Sequence, residues 1–187
     1  MPPSEPLDST ETARLSLSRP SPVDLEALFV IESDPRVWTH YPSLRHTERE
    51  QTLALIERWA RRWAEVGFGP WVVRLKGDSR VIGAGGCSLV SDMAWNLGYR
   101  FSAEVHGHGY ATELASEALR RCRAINPALP VVASLLEHNV TSERVARKLG
   151  LELVYRAPDT GNPNPSAMRL VYADRPLSEA ELSVILG

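Results

Sequence analysis

Cysteine is scarce: Cys87 and Cys122 are the two in 187 residues. Two thiols with no framework around them exclude a disulfide-stapled secreted fold and fit a reduced, cytoplasmic chain. Long apolar runs are also missing, none approaching the roughly 18 residues of a membrane-spanning helix. Residues 1–10 are polar, hold three prolines and lack the apolar stretch of a signal peptide. They read as a mobile N-terminal tail before one domain over 11–187, long enough for a sizeable core. Net charge is only −2, so neither nucleic acid nor an anionic membrane is an expected partner.

Two phosphate-binding loops are absent. Gly-x-Gly-x-x-Gly fails because Gly107 and Gly109 are followed by Thr112, and Gly-x4-Gly-Lys-Ser/Thr does not occur. His106 and His108 have no carboxylate or cysteine at ligand spacing beside them, so no metal is expected. Neither cysteine has a reactive context.

What is present is a run of periodic segments. Arg14 to Ser18 alternates and predicts a strand. Ser21, Pro22 and Asp24 open a helix that Asp34-Pro35 closes. Val37 to Ser43 is a loop carrying Trp38 and Tyr41. Thr47 and Glu50 read as a capping box for a helix with Leu53, Ile56, Trp59 and Trp63 on one face; these tryptophans are expected in the core. Strands follow at 71–76 and 80–90. Gly83, Gly85 and Gly86 mark a bulge or a close approach in the second of them. Val131 to Glu137 is an almost continuous apolar run, the mark of a strand buried on both faces. Asn139 caps a helix that Gly150 ends. Strands at 151–155 and 167–172 flank a proline-rich loop, and Ser178 with Glu181 opens a last helix.

The chain is organised around residues 94–122. Trp95, Leu97, Tyr99 and Phe101 alternate as a strand. His106-Gly-His-Gly109 must turn. Ala111, Leu114, Ala115, Ala118 and Leu119 then recur at helical spacing. The first amides of a helix have no intrahelical partner and carry partial positive charge. A glycine loop lets a ligand approach them, which makes an anion cradle, most naturally for phosphate.

His106-Gly107-His108-Gly109-Tyr110-Ala111 resembles the Arg/Gln-x-x-Gly-x-Gly/Ala loop of the GCN5-related N-acetyltransferase family. Gly109 and Ala111 match, while His106 stands where the family has arginine or glutamine. Asn139-x-x-Ser142-x5-Lys148-x-Gly150-Leu151 is similar to the family's second block. The surroundings of Gly98-Tyr99 and Gly107–Glu113 look like the branch that acetylates ribosomal-protein N-termini and small amines. The resemblance implies the acyl-CoA N-acyltransferase fold: an α/β (α+β) domain with a mixed, mostly antiparallel sheet of about seven strands flanked by helices. A V-shaped splay is expected between its fourth and fifth strands. Acetyl-CoA would lie in that V and pass its acetyl group to a primary amine by direct attack.

Roles follow from the resemblance. Backbone N–H around Arg100 and Phe101, at an expected bulge, would polarise the thioester. Amides of His106, Gly107, His108, Gly109, Tyr110 and Ala111 would hold the pyrophosphate, and Asn139 and Ser142 the cofactor's inner end. Many relatives carry a tyrosine as proton donor where this chain has Ala146, so Ser142 is the catalytic hydroxyl expected here. Glu137 is the candidate base, followed by His138 and Glu104. Trp38, Tyr41 and Trp95 are candidates for the acceptor pocket or the core. The acceptor stays open between a protein N-terminus, an aminoglycoside-like amine and an amino acid, and the branch's homodimers are not readable from these residues. A catalytically silent CoA-binding module, or a binder of some other phosphate, are the competing readings.

Overall fold

The computed structural model describes residues 9–187. Leu15 and Leu17 alternate with Ser16 and Ser18, and the leucines are fully buried, so Leu15–Ser18 forms a strand (β2) as its pattern predicts. The short strand before it, Ser9–Glu11 (β1), pairs with it antiparallel. It makes the sheet eight-stranded, one more than expected, and includes Ser9 and Thr10 of the segment read as a tail. With no apolar alternation, this polar edge strand left no signal in the sequence. Residues 1–8 lie outside the described part.

Helices α1 (Leu25–Glu32) and α2 (Arg49–Val66) come next, then strands β3 (Trp71–Leu75), β4 (Val81–Val90) and β5 (Ala94–Phe101). Helix α3 (Tyr110–Ile125) leads to β6 (Val131–Leu136), and α4 (Val140–Lys148) to β7 (Glu152–Pro158), β8 (Met168–Ala173) and α5 (Glu179–Leu186). The α2 cap sits one residue later than the expected box: the N–H groups of Thr47 and Glu48 donate to Gln51 Oε1 at 2.7 and 3.0 Å. Ser178 and Glu181 cap α5 as expected.

Sheet order is β1-β2-β3-β4-β5-β6-β8-β7. All neighbours run antiparallel except β5 and β6. Alternation along β3 sends Trp71 and Val73 to one core cluster, with α3, and Val72 to another, with Leu28 of α1 and Ile56 of α2. The two layers of helices therefore cover opposite faces. Trp63 lies in the core with its Nε1–H on the Pro70 carbonyl, and Trp59 packs partly buried against the second cluster. Cys87 and Cys122 are both fully buried; burial pushes the Cys87 thiol well up, away from a reactive thiolate. Among the described residues no helix is long and apolar enough to cross a membrane.

The parallel pair is short. Only Trp95↔Val131 and Asn96↔Val132 are in register, with the Trp95 N–H on the Pro130 carbonyl. Beyond them β5 stays with β4 out to Phe101, while β6 stays with β8 out to Leu136. The two strands part, and the expected V opens between them. The β4–β5 register runs unbroken through Arg100 and Phe101, so the expected bulge is absent there; register shifts lie instead at Val73/Arg74 in the β3–β4 pair and at Leu153/Tyr155 in the β7–β8 pair.

The β4 glycines mark close approach. A Cβ on Gly85 would lie 2.5 Å from Tyr99 Cβ, and one on Gly83 2.5 Å from the Arg100 carbonyl oxygen. Gly98 has nothing within 4 Å. Gly85→Ala is expected to destabilise the domain by about 1–3 kcal/mol through overpacking, and Gly98→Ala by no more than about 0.5 kcal/mol. Urea unfolding of the pair checks this; equal stabilities would show that β5 yields freely.

Candidate active site

The loop before α3 is built to leave its amides open from Gly107 onward; the His106 N–H, expected among the cradle donors, is taken by the Ala103 carbonyl at 3.3 Å. Gly107 and Gly109 adopt φ of 81° and 80°, which glycine alone takes without strain. Gly109 is the N-cap, and the first bond closing the helix is Glu113 N–H to the Gly109 carbonyl. A Cβ on Gly107 would meet nothing within 4 Å, and one on Gly109 only the Arg14 guanidinium at 3.6 Å. His106 Nε2 lies 3.0 Å from the Phe101 carbonyl oxygen, so His106 fixes the loop to the end of β5.

Arg14 braces the loop from β2's side of the molecule, which the sequence did not signal. It donates to the His108 carbonyl at 2.9 Å, pairs with Glu113 at 2.7 Å and lies over the Tyr110 ring. Burial alone would raise the Glu113 carboxyl, but hydrogen bonds from Thr12 and Arg14 outweigh it and hold the group below its ordinary range.

Two cavities flank the V. The larger, about 370 Å³, runs from the α3 loop past Tyr99–Phe101 to Asn139, Ser142, Arg144 and Lys148 of α4. The smaller, about 250 Å³, is walled by Trp38, Tyr41, Leu97, residues 133–136, Ala146 and Arg169. They share His40, Tyr99, Arg100, Asn139 and Ser142, which form the throat between them. Asn139 Oδ1 accepts from the Ser142 N–H at 3.2 Å and so caps α4. Burial pushes the Tyr99 phenol up to about 12, against a smaller opposing pull from the neighbouring Ser142 hydroxyl.

On the other face of β5, Arg100 lies 3.4 Å over the Trp38 ring and 3.4 Å from the buried Glu32 carboxylate. Trp38 Nε1–H donates to the Glu32 carbonyl at 2.6 Å. Burial raises the Glu32 carboxyl against the pull of Arg100.

Most of the expected site residues converge. Arg100, Phe101, His106, Gly107, Gly109, Tyr110, Ala111, Asn139 and Ser142 line the larger cavity, and Trp38 and Tyr41 the smaller. His108 lies in the loop but turns its Nδ1 to the Val105 and His106 carbonyls. Trp95 does not reach the site: it is 1% exposed and packs edge-on to Phe68 in the core. Glu137 lines neither cavity. It is exposed and paired with Arg156 at 2.6 Å, whose hydrogen bond holds the carboxyl low, the wrong direction for a base. Glu104 is tied to Ser102 and Arg36, which draw its carboxyl down to about 2. His138 Nε2 sits on the His40 carbonyl oxygen at 2.8 Å.

Two residues of the throat were not legible beforehand. Tyr99 alternates in β5 like any core aromatic, and His40 stands in an irregular loop. Burial, then Arg100 and His138, push the His40 imidazole down to about 4, so it is neutral at pH 7.

A family model described as an acetyltransferase (GNAT) domain matches residues 14–152, most of the chain. The chain belongs to this family. It is an acetyl-CoA-dependent acetyltransferase by that membership. Solved structures agree in fold. An acetyltransferase from Agrobacterium tumefaciens C58 superposes with a TM-score of 0.71 at 23% identity, covering 89% of this chain and 94% of its own. The ribosomal L7/L12 α-N-protein acetyltransferase RimL, solved with coenzyme A, gives 0.71 at 16% identity over 88% and 96%. The microcin C7 self-immunity acetyltransferase MccE, solved with acetyl-CoA and AMP, gives 0.71 at 13% over 87% and 92%.

The Glu113 brace makes a pH prediction. Because its folded pKa is depressed, its stabilisation is full above about pH 4.3 and is lost as the pH falls through the folded value. Between about pH 6 and pH 3 the melting temperature of wild type is expected to fall more steeply than that of Glu113→Gln. Parallel curves in differential scanning calorimetry would show that the brace carries no stability.

Proposed function

We propose that this protein, in the cytoplasm, moves the acetyl group of acetyl-CoA onto a primary amine by direct attack, with the donor in the larger cavity and the amine in the smaller. The observation that carries the reading is the throat: two cavities, one lined by open helix amides, meet where β5 and β6 part. Amides of residues 107–111 hold the pyrophosphate. Arg36, Arg144 and Lys148 line the same cavity and add positive charge. No carboxylate lines either cavity among the described residues, which suits a polyanionic donor.

The chemistry falls to the chain's own groups. The edge of β5 that β6 leaves uncovered presents backbone N–H groups to the thioester oxygen. This role needs no bulge, because the splay frees the edge. As the amine nitrogen bonds to the acetyl carbon it must lose a proton, which passes to solvent; the neutral His40 imidazole in the throat can accept a hydrogen bond from the amine, but at about 4 it is too weak a base to keep the proton. The carbon–sulfur bond breaks with its electron pair on sulfur. A thiolate of pKa roughly 8.5 does not take a proton outright from a phenol at about 12. The Tyr99 and Ser142 hydroxyls therefore stabilise it by donating hydrogen bonds. Tyr99 supplies from the strand the phenol that small, buried Ala146 does not supply from the helix.

Three single variants and one double variant test the arrangement. Gly109→Val puts a branched side chain at φ 80° beside the amides and is expected to weaken CoA binding by about 1–3 kcal/mol; unchanged affinity in a folded variant, by calorimetry, would remove the cradle. Tyr99→Phe and Ser142→Ala should each lower kcat about 10–100-fold, with the KM for acetyl-CoA nearly constant and the double variant little worse than the worse single. Thiol release from acetyl-CoA over an amine panel reads both. Tight CoA binding without turnover in wild type would make the protein a binding module instead.

A further inference from the structure

The smaller cavity has a charge pattern that selects its occupant. Its charged side chains are Arg100 and Arg169, each backed by a carboxylate that faces away. Arg169 places Nε and Nη2 on Asp159 Oδ1 at 2.9 and 2.8 Å and Nη1 on Ser134 Oγ at 3.2 Å. In both pairs the cation is the more exposed partner: 26% against 9% for Arg169 and Asp159, 22% against 5% for Arg100 and Glu32. Both anions are covered by protein and both guanidinium groups line the cavity. Trp38, Leu97, Leu135 and Leu136 give it apolar walls, and its remaining polar groups, those of Tyr99, Asn139 and Ser142 among them, are neutral. At about 250 Å³ the space is below the roughly 300–1,000 Å³ of drug-sized sites, so it suits one side chain rather than an oligosaccharide.

We infer that the acceptor is a small primary amine carrying an anionic group on an apolar body, and that Arg169 receives the anion. This rests on the acetyl-transfer reading above and narrows its acceptor. An ammonium-rich acceptor such as a polyamine or aminoglycoside would meet two guanidinium groups and no carboxylate. An anionic acceptor meets the remaining N–H of Nη1 and of Nη2 on a guanidinium that Asp159 and Ser134 already hold in place. The same chemistry is offered by a free apolar amino acid and by a peptide N-terminus with an acidic second residue.

The test compares kcat/KM, with acetyl-CoA and the full chain, for L-leucine against L-leucinamide, for Leu-Glu-Ala-amide against Leu-Lys-Ala-amide, and for spermidine. At least one anionic acceptor should exceed its match by about tenfold or more, with spermidine slowest; which pair separates tells the free amino acid from the peptide. Arg169→Gln should bring that pair within about threefold while leaving CoA affinity unchanged. The Asp159→Asn/Arg169→Gln double variant, which leaves no carboxylate unpaired, carries the same expectation if the single variant misfolds. Faster turnover of spermidine or of the lysine peptide would overturn the proposal, as would an anionic preference that survives loss of Arg169. Turnover of these amines without the expected ranking refutes the acceptor chemistry alone. Absence of thiol release with any amine refutes the acetyl-transfer reading beneath it.

Discussion

The parting of β5 from β6 is the constraint on which the rest of the site depends. A parallel pair that ran its full length would use the β5 edge for ladder hydrogen bonds. Here pairing stops at Asn96, while each strand keeps an antiparallel partner on its far side out to its end. The strands stay ordered as they separate, and the backbone groups left between them face a gap. Helix α3 starts at one end of that gap and α4 at its side, so both bring unpaired first-turn amides or a capped start to one place. The cavities follow from this divergence, and the side chains refine it.

The distribution of acids is the second organising fact. The chain has 23 acidic residues against 21 basic ones, yet no acid lines either cavity among those described. The carboxylates nearest the site are occupied by arginines: Glu113 by Arg14, Asp34 and Glu104 by Arg36, Glu32 by Arg100, Asp159 by Arg169. The exposed pairs among these stabilise little, and the buried ones gain little over their desolvation. Their consequence is electrostatic placement, because an acid turned toward an arginine is an acid kept off the cleft. Net charge near zero therefore says nothing about the local field, which is positive where a polyanion would lie.

Local geometry was legible in the sequence to the extent that it was set locally. Gly107 and Gly109 announce positive φ, Asn139 announces a cap with its bond to Ser142, and the apolar run at 131–136 announces a strand with both faces covered. The β4 glycines announced close approach without saying what approached; it is Tyr99 and Arg100. Long-range pairings left no such trace. Nothing near Arg14 indicates Glu113, 99 residues away. Glu137 ends a strand beside the V, as a base would, but its side chain turns to Arg156. Trp95 and Tyr99 have the same strand period, and only the splay separates them: one lies beside the paired segment, in the core, and the other where the strands have parted.

Arg100 brings these threads together, because stability alone does not account for it. Burying a guanidinium beside a carboxylate usually gains nothing over an apolar pair of similar volume, since the desolvation of both charges offsets their attraction. The contact with Glu32 is a single one at 3.4 Å, and burial moves both groups toward their neutral forms. Stacking on Trp38 returns about 0.5–2 kcal/mol, and the Trp38 indole is itself fixed to the Glu32 carbonyl. The assembly is closed: Glu32 positions both the ring and the cation, and the cation covers the ring. Its exposed edge is the wall common to the two cavities. Burial, helped by the permanent charge held there, keeps nearby His40 neutral, so the imidazole meets the amine as a hydrogen-bond acceptor and not as a base that keeps its proton.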